Sequence, residues 1–230
     1  MPKTYYLPTD DSVRIAERTP TRAECGLPED AFVFCSFCHD YKINPHLFDR
    51  WMRILQAVPS SVLWLMSRNE RSQANLRQAA QERGVSPERL VFASRVPRVE
   101  DHLARYRQAN LFLDTHPYNA HTTAADALMS GLPVLTYLGN SFPSRVAASL
   151  LQTVGLHELV THSHDEYEQA AIRLAQQPAQ LQDIQARLQR DRAGSGLFNT
   201  PAFCRHLEAL YTQIWYEGQL QAAQLQHSPR

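Results

Sequence analysis

The stretch LFLDTHPYNAHTTAADALMSG, residues 111–131, predicts a strand, a polar loop and a helix in direct succession. The apolar residues at its start are typical of a buried strand, and the Pro and Asn residues that follow mark a turn. A helix of small residues then begins after His121, and Gly131 ends it, as glycine commonly does. Repeated units of strand, loop and helix build parallel α/β sheets.

The first turn of this helix suits a phosphate group. Backbone N–H groups at a helix N-terminus lack helical partners, and the positive end of the helix dipole attracts anions. His121, Thr122 and Thr123 add side-chain donors. Asp126 lies one turn later on the same face, where its carboxylate would repel a phosphate but accept hydrogen bonds from sugar hydroxyls. A nucleotide satisfies both demands, although ordinary helix capping uses the same residue types.

Apolar segments alternate with helical segments along most of the chain. The pattern predicts strands at residues 32–37, 62–66, 90–93, 111–114, 133–137 and 158–161. It predicts helices at 44–55, 70–84, 100–107, 124–129 and 144–154, and largely helical structure from residue 165 onward. The expected fold is therefore α/β: a Rossmann-like, doubly wound parallel sheet with a C-terminal helical extension. Residues 1–30 are expected to be an irregular lead-in, residues 31–218 one domain, and residues 219–230 a polar tail.

Composition excludes several classes of partner and compartment. The formal net charge is zero, which gives no basic field for nucleic acid or a membrane surface. The polar N-terminus lacks the apolar core of a signal peptide, and no apolar run approaches membrane-spanning length. The CxxC at Cys35 and Cys38 has no second pair to complete a zinc site, so it indicates small buried thiols. A cytoplasmic, reduced protein is expected.

Ligands of doubly wound sheets bind beyond the carboxyl ends of the strands, which directs attention to the loops there. The candidate loops are residues 38–42, 95–102, 116–126 and 137–145. Lys42 precedes a predicted helix start, where a cation is unfavourable unless an anion binds beside it; a solvated lysine is the alternative. His102 offers a flat ring for a base, or is an exposed helix-start histidine. Neither of the two common glycine-rich phosphate loops occurs.

Several separated motifs carry a resemblance to a known family. They are YKINP (41–45), PSSVLWLM (59–66), ANLFLDT (109–115), PYNAHTTAADAL (117–128), GLPVLT (131–136), SRVAASLL (144–151) and LFNT (197–200). In this order they resemble the C-terminal half of the catalytic region of O-linked N-acetylglucosamine transferases, glycosyltransferase family 41. Bacterial members and the plant protein O-fucosyltransferases share this layout, and the resemblance extends from about residue 20 to about residue 218.

The resemblance implies the second half of a glycosyltransferase-B fold, which holds UDP-N-acetylglucosamine without a metal or other cofactor. It implies that Lys42 contacts the diphosphate and stabilises the leaving group, as the one catalytic residue. It also implies that His121, Thr122 and Thr123 surround the phosphates and that Asp126 binds the ribose.

The same resemblance implies a set of contacts to the nucleoside. His102 would stack on the uracil, the Val96 backbone would meet the base edge, and Arg98 would lie near the ribose. Arg105 is a further candidate for a base contact. Two positions depart from the family pattern: His39 stands where many eukaryotic members have Gln, and Arg98 stands where others often have Lys. Both departures concern donor recognition.

The implied function is the donor-binding half of a protein O-linked N-acetylglucosamine transferase that acts on Ser and Thr hydroxyls. Two parts of the family pattern do not occur in this sequence: the tetratricopeptide repeats that usually precede the catalytic region, and the first Rossmann-like half, which completes the active-site cleft and binds the acceptor peptide. We therefore expect no transferase activity from the chain alone, and self-association through an exposed patch. Two alternatives remain: a non-catalytic nucleotide-binding interaction module, and a glycosyltransferase that uses another nucleotide sugar such as GDP-fucose.

Overall fold

A computed structural model describes residues 13–67 and 69–226, and its centre is a six-stranded parallel sheet. The strands are β1 (Phe32–Ser36), β2 (Ser61–Leu65), β3 (Leu90–Phe92), β4 (Leu111–Leu113), β5 (Val134–Tyr137) and β6 (Val160–Thr161). Their order is β3-β2-β1-β4-β5-β6. The chain therefore reverses its direction of winding between β1 and β4, and ligands of such sheets bind at this switch point. The predicted α/β fold is confirmed.

Eight α-helices connect and flank these strands in the described residues. They are α1 (Pro45–Ala57), α2 (Glu70–Glu82), α3 (Val99–Arg105), α4 (Thr122–Met129), α5 (Val146–Thr153), α6 (His164–Gln176), α7 (Pro178–Asp191) and α8 (Thr200–Gln226). Three pairs of these helices pack together: α1 with α6, α6 with α7, and α4 with α5. The bounds differ from the predicted ones by a few residues at most, as expected for helix ends that fray.

Local sequence signals explain where the helices beside the switch point begin and end. The Asn44 side chain accepts a hydrogen bond from the Leu47 N–H at 3.0 Å, and Pro45 occupies the first helical position. Gly131 follows α4 with a φ of 83°, a backbone conformation that disfavours any side chain. These signals fix α1 directly after the β1 loop and limit α4 to eight residues.

The core consists of the sheet and the helix faces that cover it. All residues of β2 and β4 are buried, without the alternation of a half-exposed strand, because helices cover a parallel sheet on both faces. Trp51 on α1 and Trp64 on β2 are among the largest fully buried side chains. Cys35 and Cys38 are buried free thiols, in agreement with their predicted role as small apolar residues.

The two predicted ends of the domain differ in how far the structure describes them. Residues 13–31 contain one short 3-10 helix, Ala23–Cys25, and are otherwise irregular, while the first part of the predicted lead-in lies outside the described residues. The helix α8 continues through Gln226, so the backbone shows no break at residue 218; residues 227–230 are outside the described part. No helix among the described residues has the length and apolar character needed to cross a membrane.

Candidate functional site

Lys42 lies at the switch point of the sheet, in the loop between β1 and α1. Its ammonium donates a hydrogen bond to the backbone carbonyl of Asn119 at 3.0 Å and lies 4.1 Å from the centre of the Tyr118 ring. Burial lowers the pKa of Lys42, and the nearby Cys38 and Asp114 oppose this shift. The structure thus places a half-buried cation, held by one carbonyl and one aromatic ring, at the edge where ligands of this fold bind.

His121 lies beside the same aromatic ring. Its imidazole stacks on Tyr118 with ring centres 5.2 Å apart and an interplanar angle of 19°. Burial lowers the pKa of His121; a contact of its ring with the Pro143 carbonyl opposes the shift, and the charge of Lys42 adds to it. A neutral imidazole carries one N–H donor and one acceptor. Because a carbonyl only accepts, the N–H of a neutral His121 is on Nε2 and faces the Pro143 carbonyl at 3.4 Å, so His121 can donate to an anion in exchange for this long contact.

The helix α4 starts at this position. His121 is its N-cap residue, and the helical hydrogen bonds begin with the Ala124 N–H, which donates to the His121 carbonyl at 3.1 Å. The Thr122 side chain is exposed, while the Thr123 hydroxyl lies 3.7 Å from the Cys38 sulfur. The structure therefore places the predicted His-Thr-Thr sequence close to Lys42, because the Tyr118 ring contacts both His121 and the Lys42 ammonium.

Asp126 is half-buried one turn into α4. Burial raises the pKa of its carboxyl group to about 6, from an ordinary value of 3.8. Its carboxylate accepts no hydrogen bond from the described residues. A desolvated acceptor without a protein donor suits a ligand that brings its own donors, such as a pair of sugar hydroxyls.

His102 and Arg105 form a second group, on α3. The Arg105 guanidinium donates to the Ser94 carbonyl at 2.7 Å and lies 2.5 Å from Nδ1 of His102. Because a guanidinium has no acceptor, Nδ1 must accept this bond, and a neutral His102 carries its proton on Nε2. The His102 ring also packs against Phe37 and Tyr106, with centres 5.8 and 5.3 Å apart. The ring orientation is thus set by three neighbours.

Two cavities adjoin this group. One, of about 330 Å³, is lined by Val96, Arg98, His102 and Arg105 together with the neighbouring loop. The other, of about 300 Å³, shares Val96 and Arg105 with it and extends toward Cys25 and the buried Trp64. The three predicted base-contact residues Val96, His102 and Arg105 therefore lie together at one concave surface, of a size that admits a planar base.

Two predicted residues are less closely tied to the others. Arg98 is exposed, and its Nε lies 3.5 Å from a carboxylate oxygen of Glu100. His39 is exposed and stacks on Tyr41, with ring centres 5.6 Å apart. Both border the candidate site, but among the described residues neither forms a hydrogen bond or a ring contact with Lys42 or His121.

The loop after β5 approaches the site from a further side. A Cβ atom on Gly139 would lie only 2.4 Å from the Ser144 hydroxyl and 2.9 Å from the His116 ring, so this position requires glycine. The Phe142 ring meets His121 edge-on at 6.3 Å. All four loops predicted from the sequence therefore lie at the same edge of the sheet, as parallel strands require.

Three further residues belong to the site that sequence reasoning did not select: Asp114, Tyr118 and Asn119. Tyr118 and Asn119 contact Lys42 directly, and Asp114 is a buried carboxylate beneath the loop that carries them. The sequence held one signal, an acidic residue directly after a strongly apolar strand, where a charge is costly unless it has a structural or functional use. Within residues 13–67 and 69–226, no group of three or more His, Cys, Asp or Glu side chains can hold a metal ion.

The chain is similar to known glycosyltransferases. The model of glycosyl transferase family 41 matches residues 8–207. A UDP-N-acetylglucosamine–peptide N-acetylglucosaminyltransferase of Caenorhabditis elegans is 40% identical over 195 residues, which cover 85% of this chain and 17% of that protein. The probable enzyme of the same name, SEC, from Arabidopsis thaliana is 36% identical and is covered to 20%. The chain thus spans about a fifth of the length of these curated relatives.

A solved structure is similar over the same region. An O-GlcNAc transferase mutant from Thermobaculum terrenum superposes with a TM-score of 0.78 at 32% sequence identity. The match covers 85% of this chain and 40% of that one. With a family model that matches most of its residues, a doubly wound sheet and the site described above, the chain belongs to glycosyl transferase family 41.

Proposed function

We propose that this chain is the donor-binding half of a protein O-linked N-acetylglucosamine transferase and that it binds UDP-N-acetylglucosamine. One observation carries the proposal: the Lys42 ammonium, the His121 ring and the start of α4 meet at the switch point of the sheet. A cation, a neutral N–H donor and the positive end of a helix dipole favour an anion with several oxygens. A nucleoside diphosphate has this chemistry.

The proposed reaction breaks the bond between the sugar's anomeric carbon and the terminal phosphate oxygen, and forms a bond to a Ser or Thr oxygen. The electron pair of the broken bond stays on the diphosphate, and the proton of the acceptor hydroxyl is released to the solvent in the net reaction. Negative charge therefore develops on the leaving oxygen, where preorganised donors usually make the largest catalytic contribution. Lys42 and His121 would stabilise this charge, and Lys42 would do so as a full cation.

The nucleoside would be held by the two cavities beside α3 and by Asp126. His102 is fixed by Arg105, Phe37 and Tyr106 and offers a half-buried ring on which a base can stack. The unpaired Asp126 carboxylate would accept hydrogen bonds from the ribose hydroxyls. The proposed donor site thus divides into a phosphate part at the β1 and β4 loops and a base part at the β3 loop.

The chain is proposed to lack transferase activity by itself. It matches only part of its relatives, and α8 presents an apolar face that nothing in the described residues covers. Tyr211, Ile214, Trp215 and Tyr216 on this helix are each between 62% and 66% exposed. Contiguous exposed apolar residues mark interaction surfaces. We propose that the remaining part of the transferase, which would also bind the acceptor protein, packs there, and that the isolated chain self-associates instead.

Calorimetric titration with UDP in the presence of EDTA tests this proposal. We expect binding that EDTA leaves unchanged, since the site contains donors and a cation in place of a metal. GDP and CMP serve as controls for base recognition, and pyrophosphate isolates the phosphate part. Absence of UDP binding, or binding only with Mg²⁺ or Mn²⁺, would overturn the assignment, and a preference for GDP would favour a different nucleotide sugar.

A further inference from the structure

The loop that carries Asn119 and His121 is held by a buried carboxylate. Asp114 follows β4 directly and is 1% exposed. Its Oδ1 accepts hydrogen bonds from the N–H of Thr115 at 2.7 Å and from the N–H of Ala120 at 2.6 Å. A single oxygen atom therefore ties together the two ends of the loop at residues 115–120.

The other two oxygen atoms of Asp114 also accept hydrogen bonds. Oδ2 accepts a hydrogen bond from the Thr136 hydroxyl of β5 at 2.6 Å. The backbone carbonyl of Asp114 accepts one from the Tyr167 hydroxyl at 3.0 Å, and that hydroxyl in turn lies 3.2 Å from the indole nitrogen of Trp51. Asp114 is thus hydrogen-bonded to β5 and α6, and through Tyr167 it is connected to α1. Because its own position is fixed, its hydrogen bonds to the loop restrain the loop as well.

The loop in turn sets the partners of the catalytic cation. Asn119 supplies the carbonyl that accepts from Lys42, and Tyr118 supplies the ring beneath the ammonium. Ala120, whose N–H binds Asp114, immediately precedes His121 at the start of α4. A shift of the Ala120 amide would therefore displace the Lys42 partner and the helix start together. Other hydrogen bonds also tie the loop to its surroundings, among them those from the Asn119 N–H to the Pro143 carbonyl at 3.1 Å and from the Asn44 amide to the His116 carbonyl at 2.6 Å, but the two to Asp114 Oδ1 join both ends of the loop to one atom.

We infer that Asp114 is a positioning residue of the donor site: its Oδ1 helps to hold the Asn119 carbonyl beside Lys42, and it holds His121 at the start of α4. This inference rests on the proposed function, because it names the residue that keeps the proposed phosphate part in shape. Burying a carboxylate is costly, and burial raises the pKa of Asp114 to about 7 against the opposing effect of its three hydrogen bonds and of Lys42. Such a cost is consistent with a residue retained for its geometry at a functional site.

Three variants separate the hydrogen bonds of Asp114 from its charge. Asp114→Ala removes both. Asp114→Asn keeps an oxygen that can accept from both loop N–H groups, and its amide can donate to the Thr136 hydroxyl, but it removes the charge. Thr136→Val is the matched control, because it removes a buried hydrogen bond of equal length on the other oxygen without touching the loop.

UDP affinity and hydrogen exchange of the Ala120 amide are the two readouts, measured at a temperature where circular dichroism shows each variant folded. We expect Asp114→Ala to weaken UDP by about tenfold or more and to expose the Ala120 amide. Asp114→Asn and Thr136→Val should stay within about threefold of the parent chain in UDP affinity and retain amide protection. A purely structural role would make Thr136→Val and Asp114→Ala lose affinity alike.

Two results would overturn the inference. One is an Asp114→Ala chain that is folded and binds UDP as the parent does. The other is an Asp114→Asn chain that is folded but loses UDP affinity or Ala120 protection, and this criterion applies even when the Ala variant does not fold. If the parent chain itself does not bind UDP, the proposed function fails, while the exchange of the Ala120 amide still tests the role of Asp114.

Discussion

The ammonium of Lys42 donates to the backbone carbonyl of Asn119 although the two residues lie 77 positions apart in the chain. They meet because their loops follow β1 and β4, which are neighbours in the sheet. An ammonium can form three hydrogen bonds, and within the described residues Lys42 forms one, to Asn119. Lys42 therefore has donor capacity for the oxygens of a ligand at this edge.

Lys42→Ala should weaken both UDP and pyrophosphate, since the cation is proposed to contact phosphate oxygens. Charge-assisted hydrogen bonds contribute about 1.5–3 kcal/mol, which corresponds to a loss of roughly tenfold to a hundredfold in affinity. Titration calorimetry of both ligands measures the effect. Lys3→Ala is the matched control, because Lys3 and Lys42 are the two lysines of the sequence. An unchanged affinity for pyrophosphate would place the phosphate elsewhere.

His102→Ala should weaken UDP by about 1–2 kcal/mol, in the range of stacking losses between bases and aromatic rings. Pyrophosphate affinity should not change, because this ligand has no base. The exposed His157 offers a control, His157→Ala, that removes an imidazole far from the predicted base contacts in sequence. Equal losses for UDP and pyrophosphate would show that His102 acts on the phosphates or on folding.

Affinity for UDP-N-acetylglucosamine should rise between about pH 5 and pH 7, because a carboxylate accepts from ribose hydroxyls better when ionised. Burial raises the pKa of Asp126 to about 6. Asp126→Asn should bind more weakly at pH 7 and lose most of this pH dependence. A parent chain and an Asn variant with the same pH profile would contradict the assignment of Asp126 to the ribose.

The same pKa shift predicts a slope in stability. The folded state binds the Asp126 proton more tightly than the unfolded chain, so the free energy of unfolding should fall as the pH rises from about 4 to about 6. Urea unfolding across this pH range measures the slope. Asp126→Asn should reduce it, since the variant has no titratable group at this position.

The isolated chain should self-associate through α8. Trp215→Ser and Ile214→Ser remove apolar side chains that are 66% and 62% exposed, and each should shift the association toward monomer in sedimentation experiments. Gln213→Ser, on the side of the helix away from Trp215, is the matched control and should leave the contribution of Trp215 and Ile214 to association unchanged. Association that does not respond to either apolar substitution would assign the interface to another surface.

The chain alone should transfer no sugar to peptides. A transferase holds donor and acceptor in reacting geometry, which contributes about 7–11 kcal/mol to lowering the barrier, and it keeps water from the sugar. Addition of the first catalytic half of a family member should restore transfer, and Lys42→Ala should then abolish it. Transfer by the chain alone as a monomer, detected by mass spectrometry of a peptide, would contradict the proposal of a half site.

Most of the fold could be predicted because burial leaves a local pattern. The strand Leu111–Leu113 and the helix Thr122–Met129 appear within a few residues of their predicted bounds, since apolar runs, caps and glycine stops act over a few positions. The grouping of the four candidate loops also followed from the sequence, because parallel strands place all their carboxyl ends at one edge.

The contacts that shape the site could not be predicted in this way. The sequence marks Asp114 only as an acidic residue after an apolar strand and does not show that the Ala120 N–H binds its carboxylate. It also does not show that the Lys42 ammonium lies over the Tyr118 ring. Neither contact leaves a periodic signal, because loop conformation depends on hydrogen bonds to whichever groups the neighbouring strands supply.

The sequence by itself determined the alternating elements, the helix starts and the residue types available for phosphate and base. Tertiary structure alone decided which of them meet: the order of strands placed the β1 loop beside the β4 loop, and Thr136 of β5 beside Asp114 at the end of β4. The physical reason is that the two kinds of interaction act over different distances along the sequence. Local propensity acts over one or two turns of chain, whereas a buried hydrogen bond between distant segments exists only after the sheet has assembled.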